Sequence, residues 1–312
     1  MPRFYFSSQR SQDVSGWLAR PMWLAEAAAI GLVVAVVRAL PLRGALALGA
    51  WLGHVLGRFS PRIDKVRSNL RVVFASADAP ELDRLTRASF ANVGVAFAEL
   101  VNLRRIWRAR RSRLEFNEMP GATTPTAERR TVFVTAHLGP WQMTPLVGPE
   151  YGMTIPVIYA PEQNPYVDRL LNRFRAVFDA PLVARDGGMR AFVRALRQGQ
   201  SIGLTVDTRL DSGESVPFFG EPAMTNTMPA RLALKFDCDL VPVLAERLPG
   251  GRFRVNIHPP ITPADLQAPN DDQVLDMSRQ INALFEREIL ARPEQWLCLK
   301  RRWPKQVYQH HA

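Results

Sequence analysis

The feature that most constrains this chain is a buried strand that ends in a histidine. Thr131-Val132-Phe133-Val134 is rich in β-branched residues, and Thr135-Ala136-His137-Leu138-Gly139-Pro140-Trp141-Gln142 follows it. The first run predicts a strand, and the Gly-Pro pair predicts a turn that opens a helix. In α/β proteins the carboxyl ends of strands form the edge where binding and chemistry occur. His137 is therefore a candidate catalytic residue, and Gln142 stands where a carboxylate would be its natural partner.

Strand and helix patterns alternate beyond residue 130. The chain has 312 residues, of which 47% are hydrophobic, so it can bury a sizeable core. The alternation predicts an α/β fold with a central, mostly parallel sheet flanked by helices. The predicted strands are residues 131–135, 155–159, 201–206, 240–244 and 252–257, and the predicted helices are residues 165–178, 188–197, 229–236 and 271–291.

The first 60 residues predict a membrane-associated unit. Residues 1–15 are polar, and the apolar run from Ala27 to Val37 that follows is shorter than the roughly 20 residues that cross a bilayer. A second apolar helix, residues 45–59, carries Trp51 and Arg58, and such flanking residues suit the lipid–water interface. A buried helical hairpin would show the same pattern, and a single membrane-spanning helix is a further alternative. We expect an anchoring unit at residues 1–60 and an α/β domain at 61–312.

The charge of the chain predicts anionic partners. The formal net charge is +11, which favours phospholipid, phosphorylated glycolipid, an acidic carrier protein or nucleic acid. An amphipathic helix at residues 81–103 leads into six arginines between Arg104 and Arg113, around Ile106 and Trp107. This segment predicts a surface for anionic headgroups, with a solvated helical face as the alternative. No nucleic-acid-binding motif accompanies it, so we expect no nucleic-acid partner.

The remaining motifs predict neither a metal site nor a cofactor. Cys238 and Cys298 have no metal spacing and form no disulfide framework, and the five histidines lack paired ligands. No serine nucleophile elbow or phosphate-binding glycine loop is present. These absences favour a direct reaction between bound substrates over one that passes through a covalent enzyme intermediate. The oligomeric state cannot be predicted.

A series of short motifs runs along the chain: Arg67-Ser68-Asn69-Leu70, His137 to Gln142, Asn164 to Asp168 with Arg175, Gly199, Val206 to Arg209, Val216 to Gly220, Thr225 to Ala233, Pro293 to Trp296, and Arg301-Arg302-Trp303. In this order the series resembles the bacterial lipid A late acyltransferases (the lauroyl/myristoyl transferases), within the lysophospholipid acyltransferase superfamily. The resemblance implies a glycerolipid-acyltransferase-like fold. It also implies that the protein is located at the cytoplasmic face of a bacterial inner membrane. It also implies transfer of a fatty acyl group from acyl carrier protein or coenzyme A to a hydroxyl of a lipid A precursor.

In this family, a histidine and an acidic residue form the catalytic pair, separated by four residues. The matching positions here are His137 and Gln142. A histidine suits deprotonation of an acceptor hydroxyl, because free imidazole titrates near pH ~6.5. Glutamine can accept a hydrogen bond from the ring but brings no charge. Three interpretations follow: another carboxylate (Asp207 first, then Glu214) serves His137, or His137 acts alone in a slower enzyme, or the protein has lost the chemistry and kept lipid binding.

The substrate-binding predictions rest mainly on arginines. Arg175 would clamp an acceptor phosphate or a transition-state oxyanion, or else be a surface residue. Asp207 and Arg209 would lie at the rim of the site, or else form a buried ion pair that closes a turn. Residues 216–220 predict an apolar wall for the acyl chain, or core. The other predicted substrate-binding residues are Glu214, Arg231 near a capped helix start, and Arg301 and Arg302, which with Lys300 form a basic patch that faces phosphate or the membrane.

Overall fold

A seven-stranded sheet forms the centre of the computed structural model, which describes residues 16–311. The order of its strands is β1-β9-β8-β2-β5-β3-β4, and all neighbours run parallel except β8 and β9. Two further strands, β6 and β7, form a separate antiparallel hairpin. The strands are β1 (Leu114–Glu118), β2 (Thr131–Thr135), β3 (Val157–Tyr159), β4 (Leu182–Ala184), β5 (Ile202–Thr205), β6 (Glu214–Phe218), β7 (Glu221–Thr225), β8 (Asp239–Leu248) and β9 (Arg252–Ile257).

Helices cover both faces of this sheet. In chain order they are α1 (Gly16–Ala39), α2 (Leu42–Gly57), α3 (Ile63–Val73), α4 (Ala79–Arg108), α5 (Arg110–Arg113), α6 (Val147–Glu150), α7 (Pro165–Arg175), α8 (Gly188–Arg197), α9 (Met228–Phe236), α10 (Asn270–Ala291) and α11 (Lys305–His310). Short 3-10 helices lie at Trp141–Leu146, Ala176–Phe178, Arg185–Gly187 and Pro293–Gln295. The predicted α/β class with a mostly parallel sheet is confirmed.

The predicted elements are present, with small shifts at their ends. Strands β1 and β4 were missed because they are short and half-exposed, so they lack a buried apolar run. The expected apolar wall at residues 216–220 is the end of β6 and the turn into β7. Phe219 and Gly220 both have positive φ angles there (53° and 74°), as a tight hairpin turn requires. The buried side chains of Val216 and Phe218 face the core.

Helix α1 is longer than the apolar run predicted. Residues Leu18–Ala39 form a helix that is long and apolar enough to cross a membrane, by length and composition. The sequence-based length was too short because it stopped at Glu26. That carboxylate is buried against α7, where it accepts a hydrogen bond from Asn164 Nδ2 (3.1 Å), so the outer face of α1 stays apolar. The polar segment predicted at residues 1–15 lies outside the described residues.

Glycines bring α2 and α4 into backbone contact. A Cβ atom on Gly94 would lie 1.9 Å from the carbonyl oxygen of Gly49, and one on Gly53 would lie 2.3 Å from that of Phe90. Such distances leave no room for a side chain, so the two helices pack at their closest approach. The second predicted anchor helix is thus joined to the α/β part, while the division at residue 60 stays a prediction.

The arginine-rich segment makes structural contacts and also leaves cations exposed. Ile106 is fully buried, Arg105 donates to the carbonyl of Leu40, and Arg113 donates to that of Gly251. Arg110 lies 4.6 Å from the centre of the Trp107 ring. The exposed remainder consists of Arg104, Arg108 and Arg111. Its role toward headgroups stays a prediction.

Candidate active site

His137 and Asp207 meet because their strands are neighbours. His137 follows β2 and Asp207 follows β5, and these two strands are parallel partners in the sheet. The ladder continues past the strand ends, where Val206 N donates to Thr135 O at 3.0 Å. The two side chains, 70 residues apart in sequence, therefore emerge at the same edge, and His137 Nδ1 lies 2.8 Å from Asp207 Oδ1. This edge is where α/β sheets place their ligands.

The Asp207 carboxylate is buried and accepts hydrogen bonds at both oxygens. Trp296 Nε1 donates to Oδ2 at 3.1 Å, opposite the contact between Oδ1 and His137. Burial by itself would raise the pKa of Asp207, but the charge and hydrogen bond of His137 and the indole N–H outweigh it and hold the pKa below its ordinary value. An ionised Asp207 keeps the proton of His137 on Nδ1, which leaves Nε2 as the basic atom.

The segment that carries Trp296 also holds the backbone around His137. Leu297 N donates to His137 O at 2.8 Å, and Gly139 N donates to Gln295 O at 3.0 Å. Gly139 has a φ of 57°, and a Cβ there would lie 2.9 Å from the carbonyl oxygen of Ala245. Glycine is therefore required at the turn after His137, for conformation and for space.

A buried ion pair between Arg247 and Glu99 stabilises the segment that carries Trp296. Arg247 donates to both carboxylate oxygens of Glu99, from Nε at 2.5 Å and from NH2 at 2.9 Å. Its remaining nitrogen donates to Asn92 Oδ1 at 2.7 Å and Gln295 Oε1 at 3.2 Å. Because Glu99 is fully buried, this bidentate pairing is what its charge requires. The network joins α4, β8 and the 3-10 helix at residues 293–295.

The pair of His137 and Asp207 opens into a cavity of about 740 Å³. A cavity of this size is within the range that encloses small-molecule ligands. One part of its wall is polar and carries His137, Gln142, Arg175 and Arg209. The other part is apolar, and its side chains come from α4, β2, α7 and the loops beside them: Val93, Ala96, Phe97, Leu100, Phe133, Ile155, Leu171 and Phe178.

Gln142 lies in this cavity but is not bonded to His137. The expected helix after Gly139 is a 3-10 helix that begins at Trp141, so Pro140 precedes it and does not occupy its first position. Pro145 within it has no N–H to donate to the fourth residue back, which disfavours an α-helix. Of the described carboxylates, Asp207 holds the partner position that Gln142 does not fill.

Three of the predicted arginines also line the cavity, namely Arg175, Arg209 and Arg302. Arg175 donates to Asn172 Oδ1 at 2.7 Å, and its guanidinium lies 5.7 Å from the centre of the Tyr159 ring. Desolvation lowers the pKa of Arg175, although the charges of Glu162 and Asp168 oppose this. Arg209 is bonded to Asp211 at 2.6 Å and to the carbonyl of Trp303 at 3.1 Å.

Glu214, Arg231 and Arg301 are predicted site residues that do not line the cavity. Glu214 accepts hydrogen bonds from Thr227 (2.5 Å) and Arg231 (2.8 Å), and neither Glu214 nor Arg231 lines the cavity of His137. The N-cap position of α9 is Thr227, whose side chain does not cap the helix, and the preceding Asn226 accepts a hydrogen bond from Met228 N at 3.1 Å. Arg301 is exposed, with its guanidinium 5.6 Å from the centre of the Tyr308 ring. Arg302 is only 2% exposed.

Arg302 is a buried cation in the wall of the cavity. It donates to Met224 O at 3.0 Å and to Thr225 Oγ1 at 2.8 Å, while its Nε has no hydrogen-bond partner in the described part of the chain. Burial lowers the pKa of Arg302 to about 10. Sequence reasoning placed this residue on a surface patch because it adjoins Lys300 and Arg301. It missed the contact between Trp296 and Asp207, for which no local pattern exists.

Comparisons with known proteins agree with the motif series. A family model described as "Bacterial lipid A biosynthesis acyltransferase" matches residues 19–305. The lipid A biosynthesis acyltransferase of Haemophilus influenzae is 22% identical over 258 residues, which are 81% of this chain and 78% of that protein. Among solved structures, the 1-acyl-sn-glycerophosphate acyltransferase PlsC from Thermotoga maritima matches with 16% identity and a TM-score of 0.37, over 73% of this chain and 100% of that chain.

Proposed function

The chain belongs to the bacterial lipid A biosynthesis acyltransferase family, and from this premise we propose the reaction that its cavity performs. A fatty acyl group passes from a thioester donor, acyl carrier protein or coenzyme A, to a hydroxyl of a lipid A precursor. The observation that carries the proposal is the 2.8 Å contact between His137 Nδ1 and a buried Asp207, at the wall of a cavity that is partly polar and partly apolar.

In this mechanism His137 is the general base. The acceptor hydroxyl attacks the thioester carbonyl carbon while its proton moves to His137 Nε2. The resulting imidazolium is stabilised by the negative charge of Asp207. The tetrahedral intermediate then loses the thiolate, which takes the proton back from Nε2, so the enzyme ends as it began. Arg175 is the cation on the cavity wall that we assign to the developing oxyanion or to an acceptor phosphate.

The apolar wall would accommodate the acyl chain. Phe97 and Leu100 of α4 and Phe133 of β2 supply aromatic and aliphatic surface, which favours a hydrocarbon chain over a polar ligand. Exposed apolar residues on α1 and α2, including Leu32 (66% exposed), Trp51 (59%) and Leu56 (63%), would contact the bilayer that holds the acceptor. We place the protein at the cytoplasmic face of the inner membrane, where acyl thioesters are available.

Gln142 supports a second possibility, a lipid-binding protein without turnover, because the acid of the family motif is missing. Another lysolipid or glycolipid is the alternative acceptor within the same chemistry. One assay separates these functions: purified protein, medium- and long-chain acyl carrier protein donors, and a panel of lipid acceptors, followed by mass spectrometry. Transfer to the lipid A precursor is expected, whereas no transfer with any pair of substrates would favour the lipid-binding protein.

The base is tested by His137→Ala. This variant should lose acyl transfer while its circular dichroism spectrum and melting temperature stay close to those of the wild type, since His137 is partly exposed. Turnover retained by the variant would end the assignment. Incubation with labelled donor alone should leave the protein unlabelled, and a trapped acyl-protein would replace direct transfer by a two-step mechanism.

A further inference from the structure

The three consecutive cations near the C-terminus have three different environments. Arg302 is buried in the core, and Arg301 stacks on Tyr308 away from the cavity. Lys300 is the member of the three that stands on the cavity rim with an exposed side chain. The basic patch predicted from sequence is therefore divided, and Lys300 belongs to a different set of charges.

That set brings together cations from distant parts of the chain. Arg62 directly precedes α3, Arg185 begins the 3-10 helix at residues 185–187, and both line the same cavity as Lys300 and His137. Partial burial lowers the pKa of Lys300, and the positive charges of Arg185 and Arg62 lower it further. The positive charge of Lys300 thus lies close enough to those of Arg185 and Arg62 to be repelled by both.

Several of the other cations that the structure describes are paired with carboxylates. Arg209 is paired with Asp211, Arg231 with Glu214 and Asp271, and Arg254 with Glu115 and Glu246. Within residues 16–311, no described carboxylate forms an ion pair with Arg62, Arg185 or Lys300. Like charges held together without a counter-ion repel, and an anionic ligand would relieve that repulsion.

We propose that Arg62, Arg185 and Lys300 form a phosphate-binding site at the mouth of the catalytic cavity, for a phosphate ester carried by one of the two substrates. The proposal rests on the function proposed above and adds the ligand class and the residues that select it. Two guanidinium forks and one ammonium match the charge and the oxygens of a phosphate. A phosphate at this rim would leave the hydrocarbon of the same substrate free to enter the apolar part of the cavity. The source is either the headgroup of the acceptor or the phosphodiester of a phosphopantetheine donor.

The first experiment measures binding and does not depend on turnover. Isothermal titration calorimetry compares lauroyl lysophosphatidic acid with monolauroylglycerol, both below their micellar concentrations. The wild type should prefer the phosphorylated amphiphile, and the triple variant Arg62→Gln, Arg185→Gln, Lys300→Gln should lose about 30-fold of that preference, or about threefold per exposed cation. A triple variant made at exposed cations outside the cavity, Lys65→Gln, Arg190→Gln and Lys305→Gln, removes the same charge and should keep the preference.

Three binding results would overturn the proposal: no preference in the wild type, a preference retained by the rim triple variant, or equal weakening of both amphiphiles. Melting temperatures of the variants confirm that the fold is intact. The proposed function can fail separately. A wild type that prefers the phosphorylated amphiphile but transfers no acyl group would support the phosphate-binding site and refute the proposed reaction.

A second experiment identifies the source of the phosphate in an active enzyme. KM is measured for each substrate with the other saturating. If the KM of the rim triple variant rises only for the acceptor, the phosphate is that of the lipid headgroup. If the KM rises only for the donor, the phosphate is that of phosphopantetheine. Either result supports the site, whereas an active triple variant with both KM values unchanged would refute it.

Discussion

Replacing Asp207 by asparagine removes the charge beside His137 while keeping the size of the side chain. In the proposed mechanism His137 becomes an imidazolium in the transition state, and its Nδ1 is 2.8 Å from Asp207 Oδ1. Taking the two charge centres as about 4 Å apart at an effective dielectric constant of about 20, their attraction is about 4 kcal/mol. Since 1.36 kcal/mol corresponds to about tenfold in rate, Asp207→Asn should lower kcat by about 10³-fold.

The loss should fall on kcat and hardly on KM. Asp207 is 3% exposed and acts through the imidazole, so it contributes to a charge that exists in the transition state and not in the bound substrates. The assay is steady-state acyl transfer with labelled acyl carrier protein and saturating acceptor. Thermal unfolding in parallel checks that the variant is folded, because a buried carboxylate has been replaced.

The control is Gln142→Ala, which changes the position of the family acid without touching Asp207. If Asp207 serves His137, this variant should lose less than about tenfold in kcat, since glutamine brings no charge to the imidazolium. An Asp207→Asn enzyme within tenfold of the wild type would refute the electrostatic role of Asp207. A Gln142→Ala loss as large as that of Asp207→Asn would return Gln142 to the catalytic pair.

Three further predictions follow from contacts elsewhere. Trp296→Phe removes the indole N–H that bonds Asp207 Oδ2, so kcat should fall by about 10- to 100-fold with KM unchanged, and a large change in KM alone would argue against this positioning role. Gly94→Ala places a Cβ 1.9 Å from a backbone oxygen of α2 and should lower the free energy of unfolding by roughly 3 kcal/mol in denaturant titrations. The control is Gly44→Ala in α2, whose Cβ would make an ordinary 3.7 Å contact and should leave the free energy of unfolding unchanged. Equal stability of the two variants would contradict the close helix packing. Burial raises the pKa of Cys298 to about 12, so iodoacetamide at pH 8 should modify Cys298 only after denaturation, and its rapid alkylation in the native protein would show that this part of the core is open.

The sheet was largely predictable because its strands carry local signals. Residues 131–135 and 252–257 show strand composition, and the structure has β2 and β9 at those residues. The hairpin of β6 and β7 was harder, because Pro217 and Pro222 interrupt the strand pattern and its turn uses Phe219 at positive φ, a conformation that no simple rule assigns to phenylalanine. The length of α1 was misjudged for a related reason: a buried hydrogen bond removes Glu26 from the outer face, and composition cannot show that.

By itself the sequence determined the α/β class, the apolar character of the N-terminal helices and the position of a histidine at a strand end. These properties depend on periodicity, composition and turn residues within short windows. Only the tertiary structure decided that Asp207 is hydrogen-bonded to His137 and to Trp296. It also decided that Lys300 lines the same cavity as Arg62 and Arg185, which are distant in sequence. Those contacts join segments 70 or more residues apart, and they exist because β2 and β5 are neighbours in the sheet and the C-terminal segment crosses their ends.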